Sequence, residues 1–496
     1  MAVDLLVVGG GINGAGIARD AAGRGLSVML VERGDLAGAT SSSSSKLIHG
    51  GLRYLEQYEF GLVRKALAER EVLLAAAPHL VAPLEFVLPQ GENSRPGWML
   101  RIGLFLYDHL GGRRKLPGSH GIDLRTHPAG RPLKADYVHG FTYADCWTDD
   151  ARLVVANAMD AAERGAVIRT RTELVAARRE GDLWRAVMRD VRTGREETVA
   201  ARILVNAAGP WAADVIEHQL GMGGGKRLRL VKGSHMVVPR PEGADDAYLL
   251  QNDDGRVIFV LPFLDRYSLV GTTEVELEEM PERVEITPAE ADYLCGIVNR
   301  YFRVPISPSD VVWSFAGVRP LVDDADDDPS SVTRDFVIAL DAPEGQAPLL
   351  SVLGGKITTY RVLAEAAMDD LSPFLPGPVE PWTEDVPLPG GDMPDGDFEA
   401  FLASTMRAAP WLPEALARRL ARAYGTRIAR ILDGAASLDG LGVHYGDGVY
   451  EAEIGYLLRH EWLETAEDFL WRRSKLGIAA APETVDRLRE RLGGAR

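Results

Sequence analysis

Cysteine is nearly missing from this chain of 496 residues: Cys146 and Cys295 are the two it has. Two thiols cannot build a disulfide framework or a cysteine-rich zinc site. Such sparing use fits a reducing compartment. Lysine is scarce too, with eight among the 55 basic residues. No run of 18 or more apolar residues occurs, so no transmembrane helix is expected. The first apolar run, residues 5–8, has no basic region before it and no small-residue cleavage site after it, so no secretory signal is expected. Positive charge is in deficit: 55 basic against 72 acidic residues give a net charge of −17. A general nucleic-acid binder needs a positive face, so no nucleic-acid partner is expected. What is present is ordinary for a globular protein, with 46% hydrophobic and 26% charged residues. The length predicts about three domains, or two large ones with insertions.

Residues 5–31 read as strand, turn, helix, strand. LLVV (5–8) and LSVMLV (26–31) are short apolar runs of the kind buried in a parallel sheet. The alanine-rich stretch 12–22 lacks proline and stops at Gly23 and Gly25. Helices are further expected over 60–77, closed by Pro78, and over 150–165. Residues 90–145 read as irregular and 166–205 as strand-like. Apolar runs at 237–238, 257–261 and 269–270 predict a second sheet. Residues 323–328 form an acidic run that lacks the glycine and terminal Glu of a calcium loop, so no metal site is expected. Six prolines between Pro376 and Pro394 mark the main domain boundary. Beyond it the pattern is almost all helical.

Gly9, Gly11 and Gly14 form G-x-G-x-x-G after a strand and at a helix start, and Glu32 closes the next strand 18 residues beyond Gly14. This is the full context of a dinucleotide fingerprint. Gly9 permits the turn, Gly11 admits a pyrophosphate and Gly14 lets helix and strand pack. The amides of Ile12 and Asn13 then face phosphate, and Glu32, followed by Arg33, accepts from an adenosine ribose. The fingerprint itself does not choose between NAD and FAD.

Further segments run along the chain: TSSSSSKLIHGGLRYLEQYEFGLV (40–63), ILVNAAGPWA (203–212), KGSHMVV (232–238), VGTTE (270–274), AGVRPL (316–321), SVLGGKITTYR (351–361) and EAEIGYLLRHEWLETAEDFLWRRSKLGI (451–478). In this order they resemble the flavin-dependent glycerol-3-phosphate dehydrogenase family, of the glycine/amino-acid oxidase-like fold. The resemblance implies an α/β fold: a Rossmann-like FAD-binding domain, an inserted antiparallel-sheet substrate domain and a C-terminal α-helical domain. The expected division is 1–90, 145–230 and 315–375 for FAD, 91–144 and 231–314 for substrate, and 380–496 for the helical domain. It implies FAD as cofactor and sn-glycerol 3-phosphate as substrate, oxidised to dihydroxyacetone phosphate by hydride transfer from C2 to flavin N5.

On that resemblance Ser41, Ser42, Ser43, Ser44, Ser45, Lys46, Leu47 and His49 are expected in a cofactor loop. Ala208, Gly209 and Trp211 leave room for a flat ligand. Gly354 and Gly355 precede Lys356, Ile357 and Thr358, and a helix is expected from Thr358 whose first amides favour negative charge on the reduced ring. A phosphate dianion calls for arginine's planar fork, and Arg53 and Arg319 are expected to clamp it with Lys356. His235 is the first candidate for the base and His49 the second. Tyr54, Thr272 and Thr273 are expected to bind glycerol hydroxyls.

The resembled dehydrogenases deliver electrons to membrane quinone, and an oxidase branch to oxygen. Residues 95–115 carry five basic residues and one acid, a local charge of +4, interleaved with Trp98, Met99, Leu100, Ile102, Leu104, Phe105 and Leu106. Such a segment suits a bilayer interface. Peripheral attachment to the cytoplasmic face of the membrane with quinone as acceptor is therefore expected, and a homodimer is expected as well. The alternatives are an oxygen-using oxidase and a non-catalytic flavin-binding module.

Overall fold

The computed structural model describes residues 2–91, 94–112, 115–223, 228–322, 335–375, 377 and 380–493. The acidic run 323–328 and, from the basic segment, Arg113 and Arg114 lie outside them, as do Pro376 and Pro378.

The opening strand, helix and strand are Val3–Val8, Ile12–Gly23 and Val28–Val31. The two strands pair in parallel, Leu5 opposite Val28 through Val8 opposite Val31. They sit inside a sheet ordered Val337–Asp341, Leu349–Leu353, Glu196–Asn206, Val3–Val8, Val28–Val31 and Val167–Arg169, with the hairpin Thr172–Glu180 and Leu183–Asp190 added through Glu196–Asn206. The inner strands are buried on both faces, which explains their unbroken apolar runs. Val3–Val8, Glu196–Asn206 and Leu349–Leu353 run parallel, and their carboxyl ends open at Gly9, Ala207 and Gly354. Three loops thus converge at the edge where parallel sheets bind ligands.

A second sheet runs Val275–Leu277, Leu228–Pro239, Tyr267–Gly271, Val257–Phe263, Ala247–Gln251, Val81–Gln90, His139–Thr148 and Leu47–Ile48, with Trp313–Val322 paired to Leu228–Pro239 and His120–Asp123 to His139–Thr148. Its pairs are antiparallel except Val81–Gln90 with Ala247–Gln251. The stretch 90–145 is more regular than its Gly, Pro and Arg content suggests. It holds the helix Gly97–Leu110, which buries Leu100, Leu104 and Tyr107 at helical spacing, and the start of His139–Thr148. The helices Phe60–Ala76 and Asp150–Glu163 lie where periodicity places them, the second capped by Asp149 accepting from the Arg152 amide.

Beyond residue 380 the chain is helical, with Phe398–Ala408, Glu414–Tyr424, Glu451–His460 and Pro482–Leu492. The helical pattern conceals one small hairpin, His444–Gly446 with Val449–Tyr450. This region shares one apolar core with the first sheet, and the buried pairs Arg152–Glu461 and Arg473–Asp35 cross between them.

Candidate active site

The glycine turn is built by exclusion. Gly9 has φ +111°, and a side chain there would collide with the Ala207 carbonyl, as one at Gly14 would with the Gly9 carbonyl. Glu32 accepts from the amides of Gly10 and Gly34, each at 2.7 Å. Burial pushes its carboxyl up, against the pull of those two amides. The Ile12 amide, at the helix start, donates to Ser41 Oγ at 3.0 Å. Asn13 Nδ2 donates to the Gly354 carbonyl at 3.1 Å, tying the first loop to the third, while its Oδ1 is buried with no partner.

These loops open into a cavity of about 1280 Å³, above the roughly 300–1,000 Å³ of small-molecule sites. Gly9, Gly11, Ile12, Asn13, Glu32, Arg33, Ser41, Ser43, Ser44, Ser45, Leu47 and His49 line it. So do Ala208, Gly209, Trp211, Gly354, Gly355, Lys356, Ile357 and Thr358, and from the expected substrate set Tyr54, His235, Thr272 and Arg319. Space, the steric cradle at Gly9 and Gly14, and the unpartnered Asn13 oxygen all suit an extended dinucleotide. Helix onset after Lys356 comes as a tight turn, Ile357–Thr359, before the α-helix Tyr360–Leu371.

Five expected residues do not line the cavity, for different reasons. Gly14 acts through packing. Ser42 turns its hydroxyl to the Ala39 carbonyl at 3.2 Å. Lys46 is fully buried, its Nζ 2.9 and 3.0 Å from the Asp150 carboxylate and 3.0 Å from the Ser42 carbonyl. Thr273 faces the back of the wall, its Oγ1 2.7 Å from Glu290 Oε1. Arg53 lies on the turn Leu52–Gln57, beside Tyr54 but outside the lining.

The second sheet supplies the opposite wall. Val231 pairs with Arg319, and His235 with Phe315. A side chain at Gly233 would come within 2.7 Å of Thr272 Oγ1 and 2.9 Å of Arg319 Nη2, so glycine leaves room for both. Arg319 lies 3.7 Å from Glu274, beyond hydrogen-bond distance, with 41% of its side chain exposed. Lys356 Nζ stands 3.8 Å above the centre of the Tyr54 ring, a cation–π contact. His235 Nε2 is 2.9 Å from Ser45 Oγ, and its ring stacks on Phe315 at 4.9 Å. Burial, reinforced by Lys46 and Arg319, holds His235 neutral, its pKa pushed down to about 3. Burial likewise lowers His49.

Behind this wall one buried carboxylate ties four residues together. Glu290 Oε1 accepts from Ser234 Oγ at 2.8 Å and Thr273 Oγ1 at 2.7 Å, and its Oε2 from Lys232 Nζ at 2.8 Å and the Thr287 amide at 2.8 Å. Strand alternation explains the division: Lys232 and Ser234 face Glu290, and Gly233 and His235 face the cavity. Sequence reading missed Glu290; its T-x-x-E spacing from Thr287 signals a helix cap and nothing more. It also missed Asp150, the partner of Lys46, and Arg256, which lines the cavity.

A sequence model described as FAD dependent oxidoreductase matches residues 4–361, and one described as the C-terminal domain of alpha-glycerophosphate oxidase matches residues 381–493. D-erythritol 1-phosphate dehydrogenase of Brucella abortus is 53% identical over 95% of this chain and 94% of its own. A glycerol-3-phosphate dehydrogenase of Pseudomonas aeruginosa is 52% identical over 98% of this chain and 94% of its own. Among solved structures, the glycerol-3-phosphate dehydrogenase of Bacillus halodurans complexed with FAD aligns with TM-score 0.78 and 27% identity over 99% of this chain and 94% of that one. The chain therefore belongs to the FAD-dependent oxidoreductases, in the family of flavin-dependent glycerol-3-phosphate dehydrogenases, and FAD is its cofactor.

Proposed function

We propose that this protein oxidises sn-glycerol 3-phosphate to dihydroxyacetone phosphate and passes the electrons to membrane quinone. The observation that carries the reading is that one cavity holds both the glycine-turn cradle and the cationic wall of Arg319 and Lys356. The names of the relatives point the same way. We place the cofactor between the loops that end the first sheet, and the substrate against the second. Bound FAD supplies a two-electron acceptor for the C2–H bond.

The chain's own residues do the rest. Arg319 and Lys356 fix the phosphate in this reading, with Thr272 beside Arg319 and Tyr54 beside Lys356 in the same cavity. The hydroxyl proton must leave as the alcohol becomes a ketone. His235 is the candidate to take it: burial keeps the ring neutral but also makes it a weak base, its Nδ1 is buried and unpartnered, and its Nε2 meets Ser45. Any proton His235 accepts from the cavity therefore passes through the Ser45 hydroxyl.

The acceptor reading rests on the helix Gly97–Leu110. It exposes Trp98, Met99, Ile102 and Phe105 on the side opposite its buried face, with Trp98 66% and Phe105 59% exposed. An exposed aromatic stripe fits an interfacial helix and so favours quinone over oxygen. Among the described residues no helix is long and apolar enough to cross a membrane, so attachment would be peripheral. Peroxide formed at the rate of turnover would instead identify an oxidase.

A second reading concerns the substrate. The relatives that act on erythritol phosphate and on glycerol phosphate differ by one point of identity, 53% against 52%. Competition between D-erythritol 1-phosphate and sn-glycerol 3-phosphate for flavin reduction, read as the ratio of kcat/KM, decides between them.

A further inference from the structure

We propose that the C-terminal helical region is a positioning element for the cavity wall, with Trp471 and Lys475 setting the His235–Ser45 pair. The proposal rests on reading this cavity as the polyol-phosphate site. Two routes lead from the same short segment to the same pair.

The first route is ionic. Lys475 is buried, and its Nζ lies 2.9 Å from Asp149 Oδ1 and 3.4 Å from Asp150 Oδ1. Asp150 also receives Lys46 Nζ, Ser44 Oγ at 2.8 Å and the Ser44 amide at 3.2 Å. Ser44 precedes Ser45, which touches His235. Burial works against the Asp150 charge, but Lys46 and Lys475 outweigh it and hold the carboxyl at about 2. Two ammonium groups thus face two carboxylates, and the side chains of Lys46, Lys475 and Asp150 are almost wholly buried.

The second route is aromatic. Trp471 stacks on Trp313 with centres 5.2 Å apart and planes 16° off parallel. Trp313 meets Phe315 at 4.9 Å, and Phe315 stacks on His235 at 4.9 Å and 12°. Trp313 and Phe315 are two residues apart on one strand and therefore share a face. The routes join at Lys46, whose Nζ sits 4.8 Å from the centre of the Phe315 ring. The imidazole is thereby held in plane by a stack and in rotation by a serine whose neighbour is pinned. Both supports end in the C-terminal region.

The charged groups facing the pair are Lys46, Asp150 and Arg319. Removing Lys475 leaves Asp149 and Asp150 opposite Lys46 alone. The unbalanced negative charge favours imidazolium and moves the titration of His235 upward. Misplacement of a proton-handling pair by about 1 Å costs on the order of 100-fold in rate.

The test uses FAD-loaded full chain, histidine-labelled for NMR, with His235 assigned through His235→Gln. Flavin reduction by sn-glycerol 3-phosphate is followed anaerobically and normalised to bound FAD. In Lys475→Met the His235 signal should move and the reduction rate should fall by about tenfold or more. Lys475→Arg should restore most of both. Trp471→Leu strands no charge and should shift the same signal, so it carries the test should Lys475→Met fail to fold. A packing role alone would lower thermal stability and leave the signal and the rate per FAD untouched. The proposal is overturned if Lys475→Met, or Trp471→Leu in its place, leaves the His235 signal unmoved and the rate within about twofold of the parent. Should the parent itself fail to reduce with this substrate, the substrate reading falls, and the His235 signal still decides the positioning role.

Discussion

Replacing Glu290 by glutamine should damage the protein in two separable ways. Burial opposes the charge on this carboxyl, yet Lys232, the Thr273 and Ser234 hydroxyls and the Thr287 amide hold it at about 2 against an ordinary 4.5. That gap corresponds to roughly 3 kcal/mol favouring the ionised, folded form. The same order, about 3–5 kcal/mol, is lost when one member of a buried ion pair is removed and its partner stranded. The glutamine oxygen can face Lys232 and the Thr287 amide, with its amide group toward the two hydroxyls, so hydrogen bonding survives while Lys232 loses the negative charge that faces it. Urea unfolding of holoenzyme at neutral pH should therefore show a loss of about 3 kcal/mol. The sign with pH follows from the depressed pKa. The Glu290 contribution is complete above 4.5 and is lost as pH falls toward 2. The gap between parent and Glu290→Gln should close over that window. Thr273 adjoins Thr272 in the cavity, so KM for the phosphorylated substrate should rise more than kcat falls. A variant as stable as the parent at neutral pH, or a stability gap unchanged on acidification, would refute the reasoning.

Gly14→Ala should purify without FAD, measured by visible absorbance, because its methyl group meets the Gly9 carbonyl. Arg319→Ala should keep FAD and lose roughly 10- to 100-fold in kcat/KM, the worth of one charged hydrogen bond. His235 is neutral in the fold, with pKa about 3 against 6.5 when unfolded, so stability should fall as pH drops from 6.5 toward 3. His235→Gln should flatten that part of the pH–stability curve. Trp98→Ser with Phe105→Ser should weaken binding to anionic phospholipid vesicles by at least about tenfold, since each large side chain buried contributes about 1.5–3 kcal/mol.

The dinucleotide turn is legible from the chain because its signals are local: glycine spacing, the strand before it and Glu32 after it. The cationic wall is legible only through the family motifs, since Arg319 and Lys356 are remote in sequence from the glycines they face. Lys46 shows the limit of motif reading. Its place in the serine loop suggested contact with the cofactor, and the structure spends its charge on Asp150, 104 residues away. Periodicity finds apolar strands but not their neighbours. The partners of Val81–Gln90 are His139–Thr148 and Ala247–Gln251, and no local feature announces that pairing. Glu290 is hidden for the same reason, since its clamp joins a helix cap to two strands.

The central claim is that a phosphorylated polyol held by Arg319 and Lys356 surrenders two electrons to the bound cofactor. Anaerobic addition of sn-glycerol 3-phosphate to holoenzyme tests it most directly, with the visible flavin band as the readout. The parent should bleach completely and Arg319→Ala far more slowly at equal FAD content. A flavin band that stays unbleached in the parent, with both sn-glycerol 3-phosphate and D-erythritol 1-phosphate at saturating concentration, would contradict it.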